Sequence, residues 1–279
     1  MRVWGLFLAV AFLAFVTIPA AFPEPRSGAN LEAVNDRVIA LYQATKYDEA
    51  VTLARRNSND AKARYGENSA VYLVTLNNLA QLLQATNQLA EAEALYRRAL
   101  VIDEKSFGTD YPNVATDLNN LAAVLHARSE LAEAEPLFRR ALAIDTKSLG
   151  PDHPNVGRDL NNMAQLLQDM NRPADAEPLM RLAIATFEKG FGPNHPNVAK
   201  AVNNLAQLLE ATGRLAEAEP LLRQTLAIDE KSLGADHPDV ATDLNNLAAL
   251  LQATNRLAEA ELLIRRALAI HEKTLAPIT

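Results

Sequence analysis

The chain has 279 residues, of which 49% are hydrophobic, 22% charged and 5% aromatic, a balance that excludes a wholly disordered, collagen-like or multi-spanning membrane protein. With 27 basic against 34 acidic side chains the net charge is −7, which opposes general binding to nucleic acid or anionic lipid. The absence of Cys removes disulfides, thiolate zinc sites, iron–sulfur clusters and Cys nucleophiles together.

Residues 1–21 read as a secretory signal. Arg2 forms a short basic start, an uncharged apolar run from Val3 to Ile18 follows, and Ala20 and Ala21 offer small residues for cleavage. A retained signal anchor is the competing reading, because Trp4 to Phe22 approaches the ~20 apolar residues that span a bilayer. The chain is therefore expected to be exported, periplasmic or secreted, or else anchored to a membrane by this segment. No Cys follows the run, which excludes lipoprotein anchoring. Residues 22–30, with Pro23, Pro25 and Gly28, read as a linker.

From residue 31 onward the chain is periodic. Asn-Asn pairs fall at Asn77-Asn78, Asn119-Asn120, Asn161-Asn162, Asn203-Asn204 and Asn245-Asn246, each 42 residues after the last. Residues 70–279 therefore hold five copies of one unit. Residues 31–69 hold a degenerate earlier copy, in which Tyr47, Glu49, Ala50 and Gly66 align with Leu89, Glu91, Ala92 and Gly108. Within a copy, Leu76, Leu79, Ala80 and Leu83 place one apolar stripe on a first helix, and Leu89, Ala92, Tyr96, Ala99 and Leu100 place another on a second. The turn between them is too short for anything but antiparallel neighbours. Each copy is thus a helical hairpin.

The punctuation has the same period. Gly66, Gly108, Gly150, Gly192 and Gly234 are expected to close the second helices in the left-handed conformation. Lys105, Lys147, Lys189, Lys231 and Lys273 precede the closing position by three residues, where a cation meets the negative end of the helix dipole. Pro112, Pro154, Pro196 and Pro238 open the first helices, while Pro136, Pro178 and Pro220 are expected in early turns of the second ones, with a mild bend.

Small residues at Ala80 and Ala92, with Leu83, Tyr96 and Ala99, match the tetratricopeptide pattern. The 42-residue form, with DLNNLA in the first helix and LAEAEPLFRRALAI in the second, resembles the tetratricopeptide repeats of kinesin light chains and their bacterial relatives. Nothing resembles the heptad region or acidic linker of those proteins, so a motor role does not transfer. The resemblance implies an all-α, right-handed superhelical solenoid of about six helix-turn-helix repeats.

It also implies that the first helices line a concave groove. The expected peptide-binding residues are Asn77, Asn78, Gln81, Asn119, Asn120, Asn161, Asn162, Gln165, Asn203, Asn204, Gln207, Asn245 and Asn246. An Asn amide offers one acceptor and one donor group, matching both functions of a peptide bond. Two readings stay open: at least one Asn of each pair meets ligand, with the second favoured, or both bridge neighbouring hairpins. The implied function is a non-enzymatic scaffold for an extended peptide or partner protein. The alternatives are an assembly module that pairs through the C-terminal edge, where Leu262, Leu263, Ile264 and Leu268 lie, and an adhesin or effector acting outside the cell.

Other chemistry has little support. His153, His195 and His237 recur beside the helix-opening Pro, but neighbouring repeats lie ~10 Å apart, whereas zinc needs His nitrogens at ~2 Å from one ion. A turn role is expected for them. The sequence lacks a nucleophile elbow, a phosphate loop and a zinc-protease pair, so neither catalysis nor a cofactor is expected.

Overall fold

The computed structural model describes the backbone of residues 28–275 and the side chains of residues 33–274. Within that span the chain forms helices and no strands. In order they are α1 (Gly28–Gln43), α2 (Tyr47–Tyr65), α3 (Ala70–Ala85), α4 (Leu89–Phe107), α5 (Pro112–Ala127), α6 (Leu131–Leu149), α7 (Pro154–Asp169), α8 (Pro173–Phe191), α9 (Pro196–Ala211), α10 (Leu215–Leu233), α11 (Pro238–Ala253) and α12 (Leu257–Leu275). The expected leader lies outside the described residues. Residues 28–30 of the expected linker are the first turn of α1. No helix among the described residues is long and apolar enough to cross a membrane.

The chain divides into two compact units, Met1–Leu137 and Phe138–Thr279, with the division inside α6. In the N-terminal unit α1 packs on α2, α2 on α3, α3 on α4 and α4 on α5. In the C-terminal unit the same sequential packing runs from α7 to α12. Connections of three or four residues make consecutive helices the main packing partners, with α7 also touching α9.

Each core cluster draws on three consecutive helices, with the odd-numbered helix in the middle. In the N-terminal unit Ala61 of α2, Leu76 of α3 and Ala99 of α4 share one cluster. In the C-terminal unit one cluster joins Phe187, Val202 and Ile228, and another joins Leu226, Leu244 and Ala267. The odd helix is therefore covered on two sides. Every side chain from Val71 to Ala80 of α3 is buried, whereas α4 buries mainly the stripe Ala92, Tyr96, Ala99 and Ile102. The alanines let the helices approach closely, which is why so few rings fill the interior.

The turns divide the two left-handed tasks between different positions. Asn87 has φ 60°, its N–H donates to the Gln84 carbonyl, and the Gln88 N–H donates to Leu83 at 2.7 Å. That is the paired-bond closure of a Schellman motif, and Ser129, Asn171, Gly213 and Asn255 stand in the same place with positive φ. The expectation for the glycines after the second helices changes in detail. Gly108 has φ 91° and ψ 162°, an extended positive-φ conformation that is essentially restricted to glycine, where a side chain is strained by about 1–3 kcal/mol. It swings the chain directly from α4 to the start of α5.

The histidine expectation matches the structure. His153 Nδ1 accepts from the Asn155 N–H at 3.2 Å, His195 Nδ1 from Asn197 at 3.1 Å and His237 Nδ1 from Asp239 at 3.2 Å. Each caps an N–H group that the first turn leaves unpaired. Ser69 does the same for α3 through its hydroxyl. The helix-opening prolines occupy the first turns of α5, α7, α9 and α11 as expected.

Candidate functional site

The paired asparagines sit midway along the odd helices, but their surroundings differ. In the N-terminal unit Asn77, Asn78 and Asn119 are 9%, 2% and 3% exposed, while Gln81 and Asn120 are half-buried. In the C-terminal unit Asn161, Asn162, Gln165, Asn203, Asn204 and Asn246 are half-buried, and Gln207 and Asn245 are exposed. Asn77, Asn78 and Asn119 therefore do not present their amides to solvent.

Several amides bridge consecutive odd helices. Asn77 Nδ2 donates to Asp117 Oδ1 at 3.0 Å, linking α3 to α5. In the C-terminal unit the second Asn of one pair donates to the first Asn of the preceding pair: Asn204 to Asn161 at 2.9 Å, and Asn246 to Asn203 at 3.3 Å. Each of these bonds uses one donor and one acceptor oxygen. The Asn161 amide NH₂ and the Asn204 oxygen make no hydrogen bond among the described residues.

A second constellation escaped the sequence reading. Asp103 of α4 faces Asp117 of α5, Asp145 of α6 faces Asp159 of α7, and Asp229 of α10 faces Asp243 of α11. All six side chains are buried. In each pair two charges in so little water repel strongly, so the odd-helix carboxyl keeps its proton to higher pH than an exposed Asp. Burial first, and the neighbouring carboxylate second, push Asp117 up to about 8, and the same causes push Asp243 up to about 8. Asp159 rises to about 7, chiefly by burial, against the pull of Arg158, whose guanidinium lies 2.9 Å from Asp159 and 3.4 Å from Asp145. The signal was available in the sequence: acids 14 residues apart across the four-residue loop, repeating at 42. At the one junction between them that lacks the pair, both members are absent, with Phe187 and Ala201 in their places.

Several other charges form partly exposed links between hairpins. Arg214 reaches Glu177 at 2.6 Å, Arg256 reaches Glu219 at 2.8 Å and Arg97 reaches Glu133 at 2.6 Å. Half-solvated pairs of this kind contribute roughly 0–1 kcal/mol each, so they align hairpins more than they hold them.

Comparison with known proteins agrees with this architecture. The family model described as tetratricopeptide repeat matches residues 31–105, 73–147, 113–189, 160–231 and 197–273. No curated protein matches the chain. Among solved structures, BtubC (BKLC) from P. vanneervenii is similar with 23% identity and a TM-score of 0.67, covering 88% of this chain and 94% of that one. A Podosopora anserina protein, described as a kinesin light chain with nearly identical TPR-like repeats, shows 24% identity and a TM-score of 0.59 over 73% of this chain and 97% of that one. The apo form of RapI shares 13% identity with a TM-score of 0.60, covering 88% and 98%. At these identities the likeness is one of fold.

The carboxyl pairs fix the sign of a pH effect. Asp243 has a folded-state pKa above its unfolded value of ~3.9, so the folded chain binds an extra proton between the two values and its stability falls as pH rises from about 4 through about 8. Asp239, Glu230, Lys200 and His237 also face this pair. Asp243→Asn keeps a donor toward Asp229 without needing the proton. Thermal melts of this variant and the parent should converge below about pH 5 and separate above pH 7, where the variant melts higher by about 2–4 °C for each 1 kcal/mol regained. A constant offset across this range contradicts the retained proton.

Proposed function

Because the chain belongs to the tetratricopeptide repeat family, we propose that it is a non-enzymatic scaffold whose C-terminal unit holds an extended segment of a partner protein along the asparagines of α7, α9 and α11. The observation that carries the reading is the amide register. The Asn204–Asn161 and Asn246–Asn203 bonds hold the side chains in place, and each bonded pair keeps an NH₂ group and an oxygen for an outside peptide unit. An amide row offers a backbone both polar functions without selecting charge. Adjacent odd helices pack at roughly the 10 Å typical of helix neighbours, so one pair meets about every third residue of a peptide advancing ~3.3 Å per residue. Asn77, Asn78 and Asn119 are left out of this contact surface because they are buried. Export directed by residues 1–21 would place the scaffold and its partner outside the cytoplasm.

A second reading is self-association through α12. Ile264 and Leu268 are 40% and 56% exposed, whereas Leu222, the counterpart of Ile264 in the preceding hairpin, is buried. A large uncovered apolar face is the usual mark of an interface. A molar mass above that of one chain, lowered by Ile264→Asp with Leu268→Asp, supports this reading, and a monomer at all concentrations refutes it.

The scaffold reading is tested with peptides selected from a random display library on the parent chain. Asn162→Ala, Asn204→Ala and Asn246→Ala together should weaken the selected peptides by at least about 100-fold, the loss expected when several central contacts are truncated, while helicity by circular dichroism stays unchanged. Equal affinity in the triple variant overturns the amide row.

A further inference from the structure

Within the C-terminal unit, one junction, that of α7, α8 and α9, departs from the repeat at several positions together. Phe187 and Ala201 stand where the flanking junctions bury Asp145 with Asp159 and Asp229 with Asp243. Arg158 and Lys200 stand where other copies have Thr116 and Thr242. Gly157 replaces the Ala of three other copies, and the structure shows the reason. A Cβ at residue 157 would lie 2.9 Å from the Phe187 ring. The changes depend on one another: removing the acid pair admits a ring, and the ring requires the glycine.

Together they shape a cavity of about 320 Å³ between α7 and α9, with α8 as its floor. That volume lies within the range of small-molecule sites, roughly 300–1,000 Å³. Phe187 and Phe191 form an aromatic wall, their rings 6.0 Å apart at 19°, and Phe191 stacks in turn on His195 at 4.2 Å. Arg158, Lys200, Asn161 and Asn197 bring cations and amides to the same cavity. Arg158 is committed to the Asp145–Asp159 pair, 3.4 Å from Asp145 and 2.9 Å from Asp159. Lys200 is exposed and meets Asp229 only through longer-range attraction, so the cavity keeps a positive charge beside an apolar wall.

We propose that this cavity binds a compact aromatic carboxylate, with its carboxylate at Lys200 and the Asn amides and its ring against Phe187 and Phe191. Apolar walls with a few converging polar groups are the usual composition of such a site. Offset ring contacts favour an aromatic over an aliphatic ligand. The flanking junctions repel the same ligand, because each buries an acid pair at the matching position.

The test is a calorimetric titration of the full chain with 3-phenylpropionate, compared with 3-phenylpropionamide, which lacks the charge, and propionate, which lacks the ring. One saturable site per chain is expected. Both comparison compounds, and Lys200→Thr with the parent ligand, should bind at least about tenfold more weakly, a loss of ~1.4 kcal/mol. Phe187→Asp with Ala201→Asp, which writes the acid pair of the other junctions into this one, should abolish binding. If that double variant loses helicity, Lys200→Thr alone decides. Failure of the parent chain to saturate, or equal affinity in Lys200→Thr, overturns the proposal.

Discussion

A single helical hairpin cannot bury both apolar stripes of its first helix, and that shortfall organises the molecule. The first helix needs a cover on each side. One comes from its own partner and the other from the second helix of the preceding hairpin, as Ala99 and Ala61 show on either side of Leu76. Stability is therefore a sum of hairpin terms and nearest-neighbour interface terms. The 42-residue period is the sequence form of that rule, since every interface must be rebuilt with the same residues in the same register.

The same constraint explains why polar groups are buried between hairpins. Within each unit consecutive odd helices run side by side, so residues at one position in the repeat meet those of the next hairpin. Apolar residues there would stack without fixing register, whereas amides and acids do so by demanding partners. Asn246 finds Asn203, Asn77 finds Asp117, and Asp243 finds Asp229. A group left unpaired in such a place costs ~1–3 kcal/mol, which penalises a slipped register. The acid pairs carry a condition with them: they are comfortable only while they hold a proton.

Much of this was legible in the sequence. The Asn-Asn spacing set the period, the apolar stripes set the helix pairs, and the helix-opening prolines and closing glycines marked the boundaries. A turn role for His153, His195 and His237 followed from their place beside a proline, while the capping bonds of their Nδ1 atoms belong to the structure. Other features depend on three dimensions. Asp103 and Asp117 lie on different helices, and their meeting depends on how the four-residue loop turns at Gly108. The burial of Asn77 beside the half-exposure of Asn161 depends on which neighbour covers each helix. The reason for Gly157 is likewise three-dimensional, because it lies in the Phe187 ring packed against it.

The central claim is that each hairpin is held by its neighbours, and native-state hydrogen exchange tests it most directly. Under low denaturant, the amides of α9 and α10, which are flanked by hairpins on both sides within their unit, should exchange more slowly than those of α11 and α12. Protection should be lost hairpin by hairpin, through local openings of distinct free energy. Uniform protection across these helices, lost in one step, would show a single cooperative globule and contradict the account.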